Sequence, residues 1–72
     1  MSRGQRSKPA FMRRAEEFAD EIEDRTDSFK NNELDFKTFS RLQRETWDRA
    51  RKDRDGRVLL AVNRILNDWR FS

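Results

Sequence analysis

The sequence contains no cysteine and no histidine. The lack of cysteine excludes disulfides and thiolate metal sites, and it fits a reducing compartment. The lack of histidine removes the usual general base near neutral pH and the commonest metal ligand. There is also no glycine-rich phosphate loop, zinc-ligand spacing or nucleophile motif. These absences predict a protein that is not an enzyme and that binds neither a metal nor a cofactor.

Apolar residues are scarce as well: 33% of the chain is hydrophobic and 43% is charged. No apolar run approaches the ~20 residues of a membrane span, and no signal peptide follows the N-terminal arginines. Six Phe and two Trp nevertheless supply the large side chains that a small core needs. We therefore expect one soluble, cytoplasmic domain with no membrane partner.

Charge is segregated along the 72 residues, although the net charge is only +3. Residues 1–15 carry five basic groups and no acid, which gives +5. Residues 16–35 carry two basic and nine acidic groups, which gives −7, and residues 36–72 carry ten basic and five acidic groups, which gives +5. This distribution indicates more about partners than the total does.

The first eight residues, MSRGQRSK, are polar and basic and have no apolar anchor beyond the initiator Met. This composition predicts a flexible basic tail over 1–8, followed by a single helical domain over 9–72. The tail is interpreted either as an arm that contacts nucleic-acid phosphates or as a solvated terminus.

The first helix is predicted over 9–30, with Pro9 as its first residue. Asn31 and Asn32 are natural left-handed terminators, although an earlier end near Thr26 stays open. Its acidic face either binds a partner or pairs with basic residues of the same chain. The other face carries an apolar seam with helical spacing: Phe11, Ala15, Phe18, Ile22 and Phe29.

The second helix is predicted over 35–53, with Asp35 as its N-cap and a hydrophobic staple between Leu34 and Phe39. Trp47 is interpreted as a core residue, with a stacking platform for a base as the alternative. A helical wheel separates two sides. The side expected to face the core holds Phe36, Phe39, Gln43, Thr46, Trp47 and Ala50, and the opposite side holds Lys37, Arg41, Arg44, Asp48, Arg51 and Lys52.

The third helix is predicted over 57–70, after a turn in which Gly56 can supply a positive φ. Its apolar face contains Val58, Leu59, Val62, Ile65, Leu66 and Trp69. A smaller group points away from that face and is predicted to form a protein-interaction patch: Leu60, Asn63, Arg64, Asn67 and Phe71.

These elements predict an all-α fold, a small three-helix bundle with up-and-down connectivity, because the connections are short. A helix-turn-helix is not favoured, since most of the third helix is needed for the core. The expected core contains Phe11, Phe18, Ile22, Phe36, Phe39, Trp47, Val62, Ile65, Leu66 and Trp69.

Two functions fit these patterns. The first is a non-enzymatic accessory protein that contacts nucleic-acid phosphates with little sequence preference. The second is a protein-interaction module (an adaptor, inhibitor or dimeric scaffold) that uses the acidic first helix and the patch around Leu60 and Phe71. The basic residues that are predicted to contact nucleic acid could instead recognise an acidic protein surface. A homodimer is compatible with both. The predicted nucleic-acid contacts are Arg3, Arg6, Lys8, Lys37, Arg41, Arg44, Arg51 and Lys52.

Overall fold

A computed structural model describes residues 8–71, except for the side chain of residue 71. Within this range the chain forms α1 (Ala10–Lys30), α2 (Phe36–Arg51) and α3 (Arg57–Phe71), and no strand. α1 is the central helix, because it packs extensively against both α2 and α3, whereas those two contact each other less. The predicted all-α three-helix bundle with up-and-down connectivity is confirmed. The predicted tail lies outside the described residues, except for Lys8.

The ends of α1 follow from backbone chemistry at Pro9 and Asn32. Pro9 is the N-cap rather than the first helical residue, so α1 begins one residue later than predicted, and the Pro9 carbonyl accepts the N–H groups of Met12 and Arg13 at 3.0 and 3.2 Å. Asn32 has a φ of 63°, and its N–H donates back to the carbonyl of Phe29 at 3.1 Å. This left-handed residue closes the last turn. The longer of the two predicted ends of α1 is therefore confirmed.

The start of α2 is fixed by Asp35, as the sequence predicts. Its carboxylate accepts the backbone N–H of Thr38 at 3.3 Å. The hydrogen bonds from Thr38 lower the pKa of Asp35. The ring of Phe39 then stacks on Phe29 of α1, with 4.4 Å between the ring centroids. α2 ends at Arg51, slightly before the predicted limit.

Aspartates shape the turn between α2 and α3. Asp53 accepts the N–H of Asp55 at 2.9 Å, and Asp55 accepts the N–H of Arg57 at 3.0 Å. The side chain of Arg57 also donates to Asp55, which lowers the pKa of this carboxyl to about 2. Gly56 has no positive φ, so the predicted glycine conformation is not used here.

The core is built from small side chains rather than from the aromatic residues that the sequence emphasises. Phe11, Phe18, Trp47 and Ile65 are only partly buried and pack around it. Because alanine and valine let the helices approach closely, large rings are displaced to the periphery. The buried apolar residues are Ala15, Ala19, Ile22, Ala50, Val58, Ala61, Val62 and Leu66.

Two of the predicted core residues are exposed. Phe36 is 68% exposed and Trp69 is 43% exposed. Both lie in a terminal turn of their helix, Phe36 at the start of α2 and Trp69 near the end of α3, where no neighbouring helix covers them fully. The core assignment of these two residues was therefore wrong.

None of the helices in the described range is long and apolar enough to cross a membrane.

Candidate nucleic-acid interface

The outer side of α2 presents three exposed cations, Lys37, Arg41 and Arg44, which we call the α2 cationic face. Their spacing of four and three residues places them along one side of the helix. No carboxylate within residues 8–71 forms an ion pair with any of them. The face therefore keeps its positive charge available to a partner.

The same side of the helical wheel carries less net positive charge toward the end of α2. Arg51 and Lys52 both contact the carboxylate of Asp48, at 3.4 and 3.0 Å. The hydrogen bond from Lys52 lowers the pKa of Asp48 below its ordinary value. The end of α2 thus carries two cations that share one anion, and its local field is weaker than that of the α2 cationic face.

The acidic side of α1 does not cover the α2 cationic face. Glu21 instead contacts Arg49, with 2.7 Å between Nη2 and Oε1, and Glu16 contacts Lys8. Four further carboxylates of α1 are exposed to solvent: Glu17, Asp20, Asp24 and Asp27. The two open charge surfaces therefore lie on separate helices, and neither neutralises the other by direct pairing.

A part-buried polar network around Thr46 explains why the α2 cationic face lies away from α1. Thr46 is 0% exposed, and its hydroxyl accepts a hydrogen bond from Arg25 of α1 at 2.7 Å. Arg25 also donates to the side chain of Gln43 and to the carbonyl of Leu42, at 3.0 and 3.1 Å. Because these bonds cross from α1 to α2, they fix which side of α2 faces inward. The α2 cationic face is consequently held on the outer side.

The exposed ring of Phe36 borders the α2 cationic face. A surface hollow of about 460 Å³ lies at the start of α2, and all of its lining within the described range comes from α2. The hollow combines an aromatic ring and two hydroxyl groups with the three cations. Its lining residues are Phe36, Lys37, Thr38, Ser40, Arg41 and Arg44.

Four residues of the interaction patch predicted on α3 are exposed to solvent. Leu60 is 72% exposed, and Asn63, Arg64 and Asn67 are exposed beside it. The side chain of Asn63 donates to the carbonyl of Leu59 at 3.1 Å within its own helix. The prediction for the side chain of Phe71 lies outside the described part of the chain.

A groove between α1 and α3 adjoins this patch, a feature that the sequence did not reveal. Its volume is about 330 Å³, and its lining includes Phe11, Met12, Leu60 and Arg64. Arg57 lies at its edge, over the ring of Phe11, with 4.1 Å from the guanidinium carbon to the ring centroid. The groove is therefore mainly apolar, and its charged lining residues are Arg57, Arg64 and Asp68.

Of the predicted tail contacts, Arg3 and Arg6 lie outside the described residues, and Lys8 is exposed beside Glu16. Among the described residues, no group of three or more His, Cys, Asp or Glu side chains is placed to hold a metal ion.

No known protein family, curated protein or solved structure matches this chain.

Proposed function

We propose that the protein is a non-enzymatic accessory protein that binds the phosphate backbone of nucleic acids through the α2 cationic face, assisted by the basic N-terminal segment. The observation that supports this function is the set of three exposed cations, Lys37, Arg41 and Arg44, with no ion-pair partner in the described range. A cation without an ion-pair partner can bind a phosphate and release the counterions condensed on the nucleic acid, and it breaks no ion pair within the protein to do so.

The spacing of these cations also fits a phosphate backbone. Seven residues separate Lys37 from Arg44, which corresponds to about 10 Å along a helix axis. A nucleic-acid strand in a duplex advances about 3.4 Å per nucleotide, so the face covers roughly three nucleotides. Two of the three residues are arginine, whose planar fork suits phosphate oxygens. Such contacts provide affinity with little sequence preference.

Charge reversal at two positions tests the proposal. We expect the wild type to bind oligonucleotides at ~50 mM salt and the double variant Arg41→Glu/Arg44→Glu to lose binding, since each change replaces attraction by repulsion. The matched control is Arg64→Glu/Arg70→Glu, which alters net charge equally at two exposed residues of α3. It should retain most of the affinity.

The helical circular dichroism signal should be the same in all three proteins. An equal loss of affinity in both double variants would assign binding to total charge rather than to the α2 cationic face. A wild type that binds no oligonucleotide at ~50 mM salt would refute the function.

The groove between α1 and α3 favours a second candidate function, the binding of another protein. Its apolar lining and the exposed Leu60 suit an apolar side chain of a partner, and Arg64 in the same lining suits a carboxylate beside that side chain. A second copy of the chain offers such carboxylates on α1. Sedimentation equilibrium tests this candidate: it predicts a dimer that Leu60→Asp dissociates, whereas a strict monomer argues against a dimeric scaffold.

A further inference from the structure

Phe36 is an aromatic side chain that the fold leaves accessible. It is 68% exposed, although this protein has few large apolar residues with which to build its core. Phe29 contacts it from α1, with 6.1 Å between the ring centroids and a tilt of 57°. The Phe36 ring is thus supported at one edge, and most of its surface remains open to a ligand.

The groups around Phe36 match the parts of a nucleotide. The hollow of about 460 Å³ brings its ring together with Lys37, Arg41 and Arg44, which can contact phosphates, and with the hydroxyls of Thr38 and Ser40. Proteins that bind single strands combine a positive surface along the backbone with aromatic rings on which bases stack. Both parts occur here within one hollow, on one helix.

A duplex makes poorer use than a single strand of an aromatic ring placed beside cations. Its bases are stacked on each other, so an aromatic ring reaches their faces only by wedging between base pairs, which costs a few kcal/mol per step. The bases of a single strand expose their faces without that cost. We infer that the nucleic acid bound by the α2 cationic face is single-stranded, and that Phe36 stacks on one of its bases.

This assignment rests on the proposed function, and it places the stacking residue at a position different from the one that the sequence suggested. The sequence named Trp47 as the alternative platform for a base. In the structure, Trp47 is partly buried and packs against the hydrophobic core. Phe36 is the aromatic residue that lines the same hollow as the cations.

Fluorescence anisotropy with labelled oligonucleotides tests the inference. The probes are a 12-nucleotide thymidine strand, the corresponding uridine strand and a DNA duplex of the same length. We expect the wild type to prefer either single strand to the duplex. Phe36→Ala should weaken single-strand binding about tenfold or more, as expected for the loss of one stacked base, and leave duplex binding unchanged.

Two further variants make the test specific. Phe36→Leu keeps an apolar contact with Phe29 but has no aromatic face, so it should also lose single-strand affinity, and it decides the matter if Phe36→Ala does not fold. Trp69→Leu removes a partly exposed aromatic face from α3, outside the hollow, and should bind like the wild type.

Three results would overturn the inference. If folded Phe36→Ala and Phe36→Leu both bind single strands as tightly as the wild type, Phe36 does not stack on a base, although phosphate binding stands. If the wild type prefers the duplex or shows no preference, the ligand is not selected as a single strand. If it binds none of the probes, the proposed function fails and this inference fails with it.

Discussion

The hydroxyl of Thr46 is the part of the α1–α2 interface whose removal has the clearest expected effect. Its oxygen accepts hydrogen bonds from Arg25 at 2.7 Å and from Arg49 at 3.3 Å, and it lies 3.0 Å from a carboxylate oxygen of Glu21. Thr46→Val keeps the shape of the side chain and removes this oxygen. Thr46 itself is 0% exposed, so water does not readily replace the lost contacts.

The expected loss of unfolding free energy depends on which hydrogen bonds the partners of Thr46 retain. A hydrogen bond to a charged group contributes about 1.5–3 kcal/mol. Arg25 keeps two other acceptors, Gln43 and the carbonyl of Leu42, so its guanidinium is not left unpaired. We therefore expect Thr46→Val to lower the free energy of unfolding by about 1.5 kcal/mol, at the lower end of that range. In a domain of this size the melting temperature falls by about 6–12 °C.

Thermal and urea denaturation followed by circular dichroism measure this change. Ser40→Ala is the matched control, because it removes a hydroxyl from α2 that has no hydrogen-bond partner among residues 8–71. It should change the unfolding free energy little. If Thr46→Val were as stable as the wild type, the network would not fix the packing of α2 on α1, and the outward orientation of the α2 cationic face would lose its explanation.

Two further predictions concern the turn before α3. Gly56→Ala should stabilise the protein by about 0.4–1 kcal/mol, because a Cβ at this position meets no atom within 4 Å, no positive φ is required, and alanine reduces the entropy of the unfolded chain. A lower melting temperature in this variant would contradict that reasoning. Stability should also fall as pH decreases from about 4 to about 2, since the pKa of Asp55 drops from its ordinary value of 3.8 to about 2 on folding, and such a group stabilises the fold only while it is ionised. Asp55→Asn should lose less stability than the wild type across this window in thermal scans, and an identical pH profile would rule out the contribution of Asp55.

The sequence predicted the local structure well, because local signals depend on neighbouring residues. The Asp35 cap and the Asn32 terminator act within one helical turn, so their effect can be derived without knowledge of the packing. The core was harder to predict. Helical periodicity identified Ile22 correctly, but Ala19 was missed because large side chains were favoured. The wheel also could not show that α1 leaves most of Phe36 exposed.

In the candidate site, too, the local features were predictable from the sequence and the packing between helices was not. Periodicity placed Lys37, Arg41 and Arg44 on one exposed side, as observed. The sharing of Asp48 by two cations could have been anticipated from their spacing of three and four residues. In contrast, the inward orientation of Arg25 depends on the register between two helices, and no local pattern encodes that register.

The salt dependence of binding tests most directly whether the α2 cationic face carries the function. Each phosphate neutralised on a single strand contributes about −0.7 to the slope of log K against log salt concentration. Replacing Lys37, Arg41 and Arg44 by alanine should therefore reduce the magnitude of the slope by about 2 relative to the wild type, whatever the N-terminal segment adds. Identical slopes for the wild type and the triple variant would contradict binding through this face.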